Sequence, residues 1–126
     1  MKIKNVLISQ PEPNNKRSPY HDLADKYGVN LHFRRFLEIK PIPAKELRKE
    51  RLDILEHTSV LFTSRTAIDH FFRIAQDMRV NVPDSMKYFC MRENIAHYLQ
   101  KYIEYRKRKI FYVNTTAEDL IELIKQ

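Results

Sequence analysis

Ser59-Val60-Leu61-Phe62-Thr63-Ser64-Arg65-Thr66-Ala67-Ile68-Asp69-His70-Phe71-Phe72 is the stretch on which the fold turns. Val60, Leu61 and Phe62 form a short apolar run that meets the polar pair Thr63-Ser64. Beyond that pair the spacing changes: Ala67, Ile68, Phe71, Phe72, Ala75 and Met78 recur with helical period. The stretch predicts a buried strand, a short turn and a helix. In open α/β sheets strands end and helices begin along one edge, where the first amides of each helix have no acceptor within it. Thr63, Ser64 and Thr66 add hydroxyls and Arg65 a cation. An anion-accepting corner is therefore expected there.

Outward from this centre the same alternation recurs. Toward the carboxyl end, Met86 to Met91 predicts a strand, Arg92-Glu93-Asn94 a turn, and Ile95, Ala96, Leu99 and Tyr102 a helical face. Ile110 to Val113 predicts another strand. Thr115-Thr116-Ala117-Glu118 then has the S/T-x-x-E pattern of a capping box and opens a last helix with Leu120, Ile121 and Ile124. Toward the amino end, Ala44 to Glu56 reads as a charged helix, and Val29 to Ile39 as a long strand stopped by Pro41-Ile42-Pro43. Tyr20 to Tyr27 reads as a short helix closed by Gly28, and Ile3 to Ser9 as a first strand. Five strands alternating with five helices argue for an α/β protein with an open parallel sheet flanked by helices. The long polar, proline-rich loop from Gln10 to Pro19 also lies at a strand's end, where loops often carry function.

Composition narrows the function. The chain has 126 residues, 23 Lys+Arg against 16 Asp+Glu, a net charge of +7 and a pI near 9.6. Such a surplus suits an acidic partner: nucleic acid, an anionic membrane or a polyanionic small molecule. A merely solubilising surface is the plain alternative. One cysteine, Cys90, permits no disulfide and suits a reducing, cytoplasmic setting. With one glycine, Gly28, neither a glycine-rich phosphate loop nor a G-x-S-x-G nucleophile elbow can be built. His21, His32, His57, His70 and His97 are scattered, so no metal site is expected. No apolar stretch approaches membrane-spanning length.

Two corners, Thr63-Ser64-Arg65-Thr66 and Met91-Arg92-Glu93-Asn94, follow strands of similar character. Ser64 and Asn94 would each satisfy simple N-capping, and capping is compatible with ligand binding. Arg106-Lys107-Arg108-Lys109, near Tyr102 and Tyr105, offers a competing reading as a nucleic-acid patch or as solvated charge.

Val60-Leu61-Phe62-Thr63-Ser64-Arg65-Thr66-Ala67-Ile68 resembles the "strand, Phe-Thr-Ser, x-x-Ala-val" signature of uroporphyrinogen-III synthase, of the bacterial, Bacteroides type. Lys4–Gln10, Tyr88–Ala96 and Thr115–Leu120 resemble its opening strand, its next strand and turn, and its "x-x-Ala-Glu-x-Leu" helix. Two departures stand out. Arg65-Thr66 replaces the family's Pro-Asn or Pro-Arg, and Met91-Arg92-Glu93-Asn94 replaces its Gly-x-x-Thr. The resemblance implies two flavodoxin-like α/β lobes in a protein about twice as long, of which this chain is an incomplete, amino-terminal part. Residues 1–37 would supply the first strand, helix and start of the crossover of one lobe, and residues 38–126 most of the other. The last helix, running to Lys125-Gln126 without a stop signal, fits that expectation.

The implied reaction closes the linear tetrapyrrole hydroxymethylbilane, inverts its last ring and releases water, with no cofactor and no metal. The implied partner is that anionic tetrapyrrole; the alternative is a non-catalytic basic α/β module that binds nucleic acid, and no membrane partner is expected. Pairing of two copies through an exposed sheet edge is a further expectation for an incomplete sheet. Thr63, Ser64, Arg65, Thr66, Arg92, Asn94 and Thr115 are the expected substrate-binding residues. The fragment by itself is expected to be inactive, since half the cleft would be missing.

Overall fold

The computed structural model describes residues 2–15 and 17–126. The protein is α/β, with open parallel sheets flanked by helices. It divides into two compact units, Met1–Lys40 and Pro41–Gln126.

In the first unit, β1 (Asn5–Ile8) pairs in parallel with β2 (Asn30–Phe33), Val6 opposite Leu31 and Ile8 opposite Phe33. Between them runs α1 (Pro19–Tyr27), with proline at its first position and Gly28 in the left-handed region at φ 61°. Left-handed backbone is what a glycine C-cap supplies without steric cost. Ser18 precedes the helix, but its hydroxyl pairs with His21 Nδ1 at 2.6 Å instead of capping an amide. Val6, Ile8, Leu31, Tyr20, Leu23 and Tyr27 line an open apolar groove of about 610 Å³. Ser18 is the only buried side chain among the described residues of this unit.

The long strand expected over Val29–Ile39 is a correction. The ladder ends at Phe33, and its last bond runs from the Arg34 N–H to the Ile8 carbonyl at 2.9 Å. β1 stops at Ile8 before Ser9-Gln10-Pro11, so residues 35–39 have no ladder partner; Leu37 is 85% exposed.

The second unit holds β3 (Ser59–Phe62), β4 (Lys87–Cys90) and β5 (Ile110–Tyr112) in the order β3-β4-β5, all parallel. The helix expected over Ala44–Glu56 is shorter. α2 (Ala44–Lys49) ends, Arg51 takes φ 55°, and a 3-10 turn follows at Ile54–Glu56. Asp53 starts that turn, its side chain accepting from the Leu55 N–H at 2.9 Å. α3 (Arg65–Asp77) ends in a Schellman motif: the Arg79 N–H reaches the Gln76 carbonyl at 3.0 Å and the Val80 N–H the Ala75 carbonyl at 2.8 Å. Arg79 holds the left-handed position at φ 55°. α4 (Glu93–Tyr98) passes into a 3-10 turn at Leu99–Lys101, and α5 (Ala117–Lys125) follows β5.

The helical period of α3 does what the sequence requires of it. Ile68, Ile74 and Ala75 are buried, and Ala67, Phe71, Phe72 and Met78 pack partly against them. They meet Phe62, Tyr88, Cys90 and Ile110 of the sheet and Ile95, Ala96 and Leu99 after β4. Full burial of a side chain such as Ile68 or Leu99 stabilises by about 1.5–3 kcal/mol. Strand alternation sends Phe89 and Phe111 to the opposite face, where their rings stack at 5.2 Å. α5 packs near β4 and buries Leu120.

Candidate functional site

Parallel register builds the site. Phe62 lies opposite Cys90, and Cys90 opposite Tyr112. Because the strands run the same way, the residues after them form three corners on one sheet edge: 63–66, 91–94 and 113–116. The ladder extends into this edge, with the Met91 N–H on the Phe62 carbonyl at 3.1 Å and the Val113 N–H on the Cys90 carbonyl at 3.3 Å. Thr63, Ser64, Arg65, Arg92, Asn94 and Thr115 are exposed there, and Thr66 is half-buried.

At the first corner Ser64 is extended, at φ −152° and ψ 159°, and caps α3 by accepting from the Ala67 N–H at 3.1 Å. Helix geometry gives the amides of Arg65 and Thr66 no intrahelical acceptor. The Arg65 guanidinium lies 5.5 Å from the centre of the Tyr98 ring. None of the ion pairs among the described residues gives Arg65 a carboxylate.

The second corner is built differently from expectation. Arg92, not Asn94, occupies the N-cap position, and its side chain makes no cap bond. The Glu93 N–H is taken by Asn114 Oδ1 at 3.0 Å, from the loop after β5. Asn94 falls within the first turn of α4, too late to cap it. Glu93 accepts from the Tyr112 hydroxyl at 3.1 Å, which pushes that phenol's pKa up, and approaches His97 Nε2 at 3.5 Å.

The third corner corrects the capping register by one residue. Thr116 is the N-cap of α5 and accepts from the Asp119 N–H at 3.3 Å; Thr115 lies outside the helix. The hydroxyls of Thr115 and Thr116 hold the Asp119 carboxyl below its ordinary range. Glu118 and Asp119 make the first turn of α5 acidic, so this corner is the least suited of the three to an anion.

Sequence reasoning missed a cluster beside Arg65. Asp69, one turn further along α3, accepts from the Tyr98 hydroxyl at 2.9 and 3.0 Å and from the Tyr102 hydroxyl. Lys101 Nζ lies 3.5 Å from Asp69 and donates to the Tyr98 hydroxyl at 3.3 Å. The Tyr102 ring stacks on Phe72 at 4.5 Å. The Tyr102 hydroxyl, before all else, holds Asp69 below the ordinary carboxylate range. The same bond holds the Tyr102 phenol above its own range, and the bond to Tyr98 raises Lys101. The only local signal was the helical spacing of Tyr98 from Lys101 and Tyr102. Nothing in the sequence ties them to Asp69.

The remaining candidates stand apart. Cys90 is fully buried and its thiol is pushed up to about 12 by desolvation, which suits packing and not nucleophilic attack. In the basic run, Arg106 is engaged by Glu104 at 2.9 Å, while Lys107 and Arg108 are exposed. Among the described residues no three His, Cys, Asp or Glu side chains gather as metal ligands, and no helix is long and apolar enough to cross a membrane.

Fold and edge together define a class: an open parallel α/β protein whose strand-to-helix corners present hydroxyls, free helix amides and arginines to solvent. Residues 18–126 match the family described as uroporphyrinogen-III synthase HemD. The chain belongs to that family, whose place is haem biosynthesis and whose substrate class is a tetrapyrrole. No curated protein and no solved structure matches it.

Proposed function

We propose that this chain takes part in the uroporphyrinogen-III synthase reaction by binding hydroxymethylbilane through the carboxylates of its pyrroles. In that reaction the C–O bond of the substrate's hydroxymethyl group breaks and the oxygen leaves as water. One carbon–carbon bond to the last pyrrole breaks and two form, which inverts that pyrrole as the ring closes; the proton lost from its carbon balances the one taken up by the departing hydroxyl. The observation that carries the reading is the parallel register of β3, β4 and β5, which sets the Ser64 and Arg92 corners side by side on one open edge. Ser64 and Thr63 offer hydroxyls, Arg65 and Arg92 offer cations, and the first turn of α3 offers amides and its positive end. Asn94 and Thr115 flank them as neutral polar contacts. Such a surface contributes positioning, since the substrate carries its own leaving group. The three corners stand open to water, so we infer that the 126-residue chain by itself binds without turnover. The buried, unreactive Cys90 supports a reducing compartment, the cytoplasm, as its place of work.

The test is a titration with uroporphyrin, a stable tetrapyrrole bearing the same acetate and propionate groups, followed by the porphyrin's own fluorescence. Binding that weakens with salt and falls in R65A and again in R65A/R92A supports the reading. Binding unchanged in R65A/R92A overturns it. Formation of the type III product from hydroxymethylbilane by the 126-residue chain would refute binding without turnover.

A further inference from the structure

Arg65 and Asp69 stand four residues apart on one helix, the spacing at which opposite charges normally meet. Here they do not meet: the ion partner of Asp69 is Lys101, at 3.5 Å. Both phenols of Tyr98 and Tyr102 also donate to Asp69, drawing its carboxylate toward the 3-10 turn after α4. The Arg65 guanidinium meets instead the face of the Tyr98 ring, at 5.5 Å. A π face attracts a cation without consuming its N–H donors as a carboxylate does. The guanidinium therefore keeps its fork of donors for an outside anion.

We propose that Tyr98 and Tyr102, with Lys101, are positioning residues that hold Asp69 off Arg65 and so keep Arg65 open for a substrate carboxylate. This rests on the reading that Arg65 binds such a carboxylate. Without the two hydroxyls, Asp69 is free to turn toward Arg65. It then pairs with the guanidinium and places a negative charge beside the incoming anion. The loss expected is about two- to five-fold in affinity, the range set by a helical ion pair at the low end and one exposed like-charge contact at the high end.

The experiment measures uroporphyrin affinity and thermal midpoint for the parent chain, Y98F/Y102F, D69N, the triple variant Y98F/Y102F/D69N, and R65A. Y98F keeps the ring beneath Arg65 and removes the hydroxyl, both as donor to Asp69 and as acceptor from Lys101. Y98F/Y102F is expected to bind about two- to five-fold more weakly. D69N by itself is expected to bind at least as tightly as the parent, because a negative charge is gone. The triple variant should recover parental affinity while keeping the lowered midpoint, since the asparagine introduced by D69N then has no phenols to hold. A structural loosening of α3 against α4 would leave the triple variant as weak as Y98F/Y102F, and that result overturns the proposal. Should the double variant not fold, Y102F, altered at an exposed position, carries the same comparison with Y102F/D69N. An unchanged affinity in R65A sinks the underlying reading of the corner. A weakened R65A without rescue by D69N sinks only the role of the tyrosines.

Discussion

Ser64 carries two assignments that one pair of substitutions separates. It caps α3 by accepting the Ala67 N–H at 3.1 Å, and it stands exposed on the edge where a substrate carboxylate would sit. S64A removes the acceptor and is expected to cost about 1 kcal/mol, within the span of about 0.5–2 seen for lost caps. In a domain of this size that lowers the thermal midpoint by about 4–8 °C. S64D keeps a good capping acceptor and adds a charge that the positive end of α3 favours by roughly 0.3–1 kcal/mol. Its midpoint should equal or exceed the parent's. Binding should move the other way. A carboxylate about 4 Å from a bound carboxylate costs at least ~1 kcal/mol even at the dielectric of water, about five-fold in affinity. Thermal unfolding followed by circular dichroism gives the first number, and uroporphyrin titration the second. S64D as unstable as S64A would refute the cap. S64D binding uroporphyrin as well as the parent would refute the anion corner.

Asn114 supplies the amide acceptor that the second corner lacks locally, so N114A should cost about 1 kcal/mol in urea unfolding; N94A should leave stability nearly unchanged. Equal effects of the two would show that the cap is local after all. The Asp69 cluster sets a pH dependence with a definite sign. Asp69 is held below its ordinary 3.8, so its contribution is present above that value and is lost as pH falls through the depressed one. Tyr102 is held above its ordinary 10.0, so its contribution is present below that value and is lost as pH rises through the raised one. The thermal midpoint of the parent should therefore fall at both extremes relative to D69N. Parallel curves for the two proteins would rule out the coupling.

What the sequence disclosed was whatever depends on near neighbours. Val60-Leu61-Phe62 followed by Thr63-Ser64 marked a strand's end and a helix's start because hydrophobic period and capping chemistry are both local. Five strands alternating with helices gave the parallel sheets, and the parallel direction then forced the corners onto one edge. Three of the misses share a cause, a distant partner. Residues 35–39 look extended, yet a strand needs a neighbour and β1 has already ended. Asn94 has the right chemistry for a cap, but Asn114, from the loop after β5, takes the amide. Nothing in the local pattern singles out Asp69, which acquires its partners only when α4 and its 3-10 turn bring two phenols to it. The one-residue slip between Thr115 and Thr116 is different in kind, since adjacent threonines offer the same capping chemistry and the sequence pattern alone does not separate them.

Arg51 and Arg79 leave their helices at φ 55°, a conformation in which any Cβ is crowded, while the whole chain holds one glycine and six prolines. A chain punctuated this way has little slack when denatured: each arginine samples fewer unfolded conformations than a glycine would, and each proline fewer still. Native-state crowding at two turns is thus matched by a stiffer denatured ensemble. The folding balance of this protein therefore depends on what its disordered chain is denied as well as on what its folded core contains.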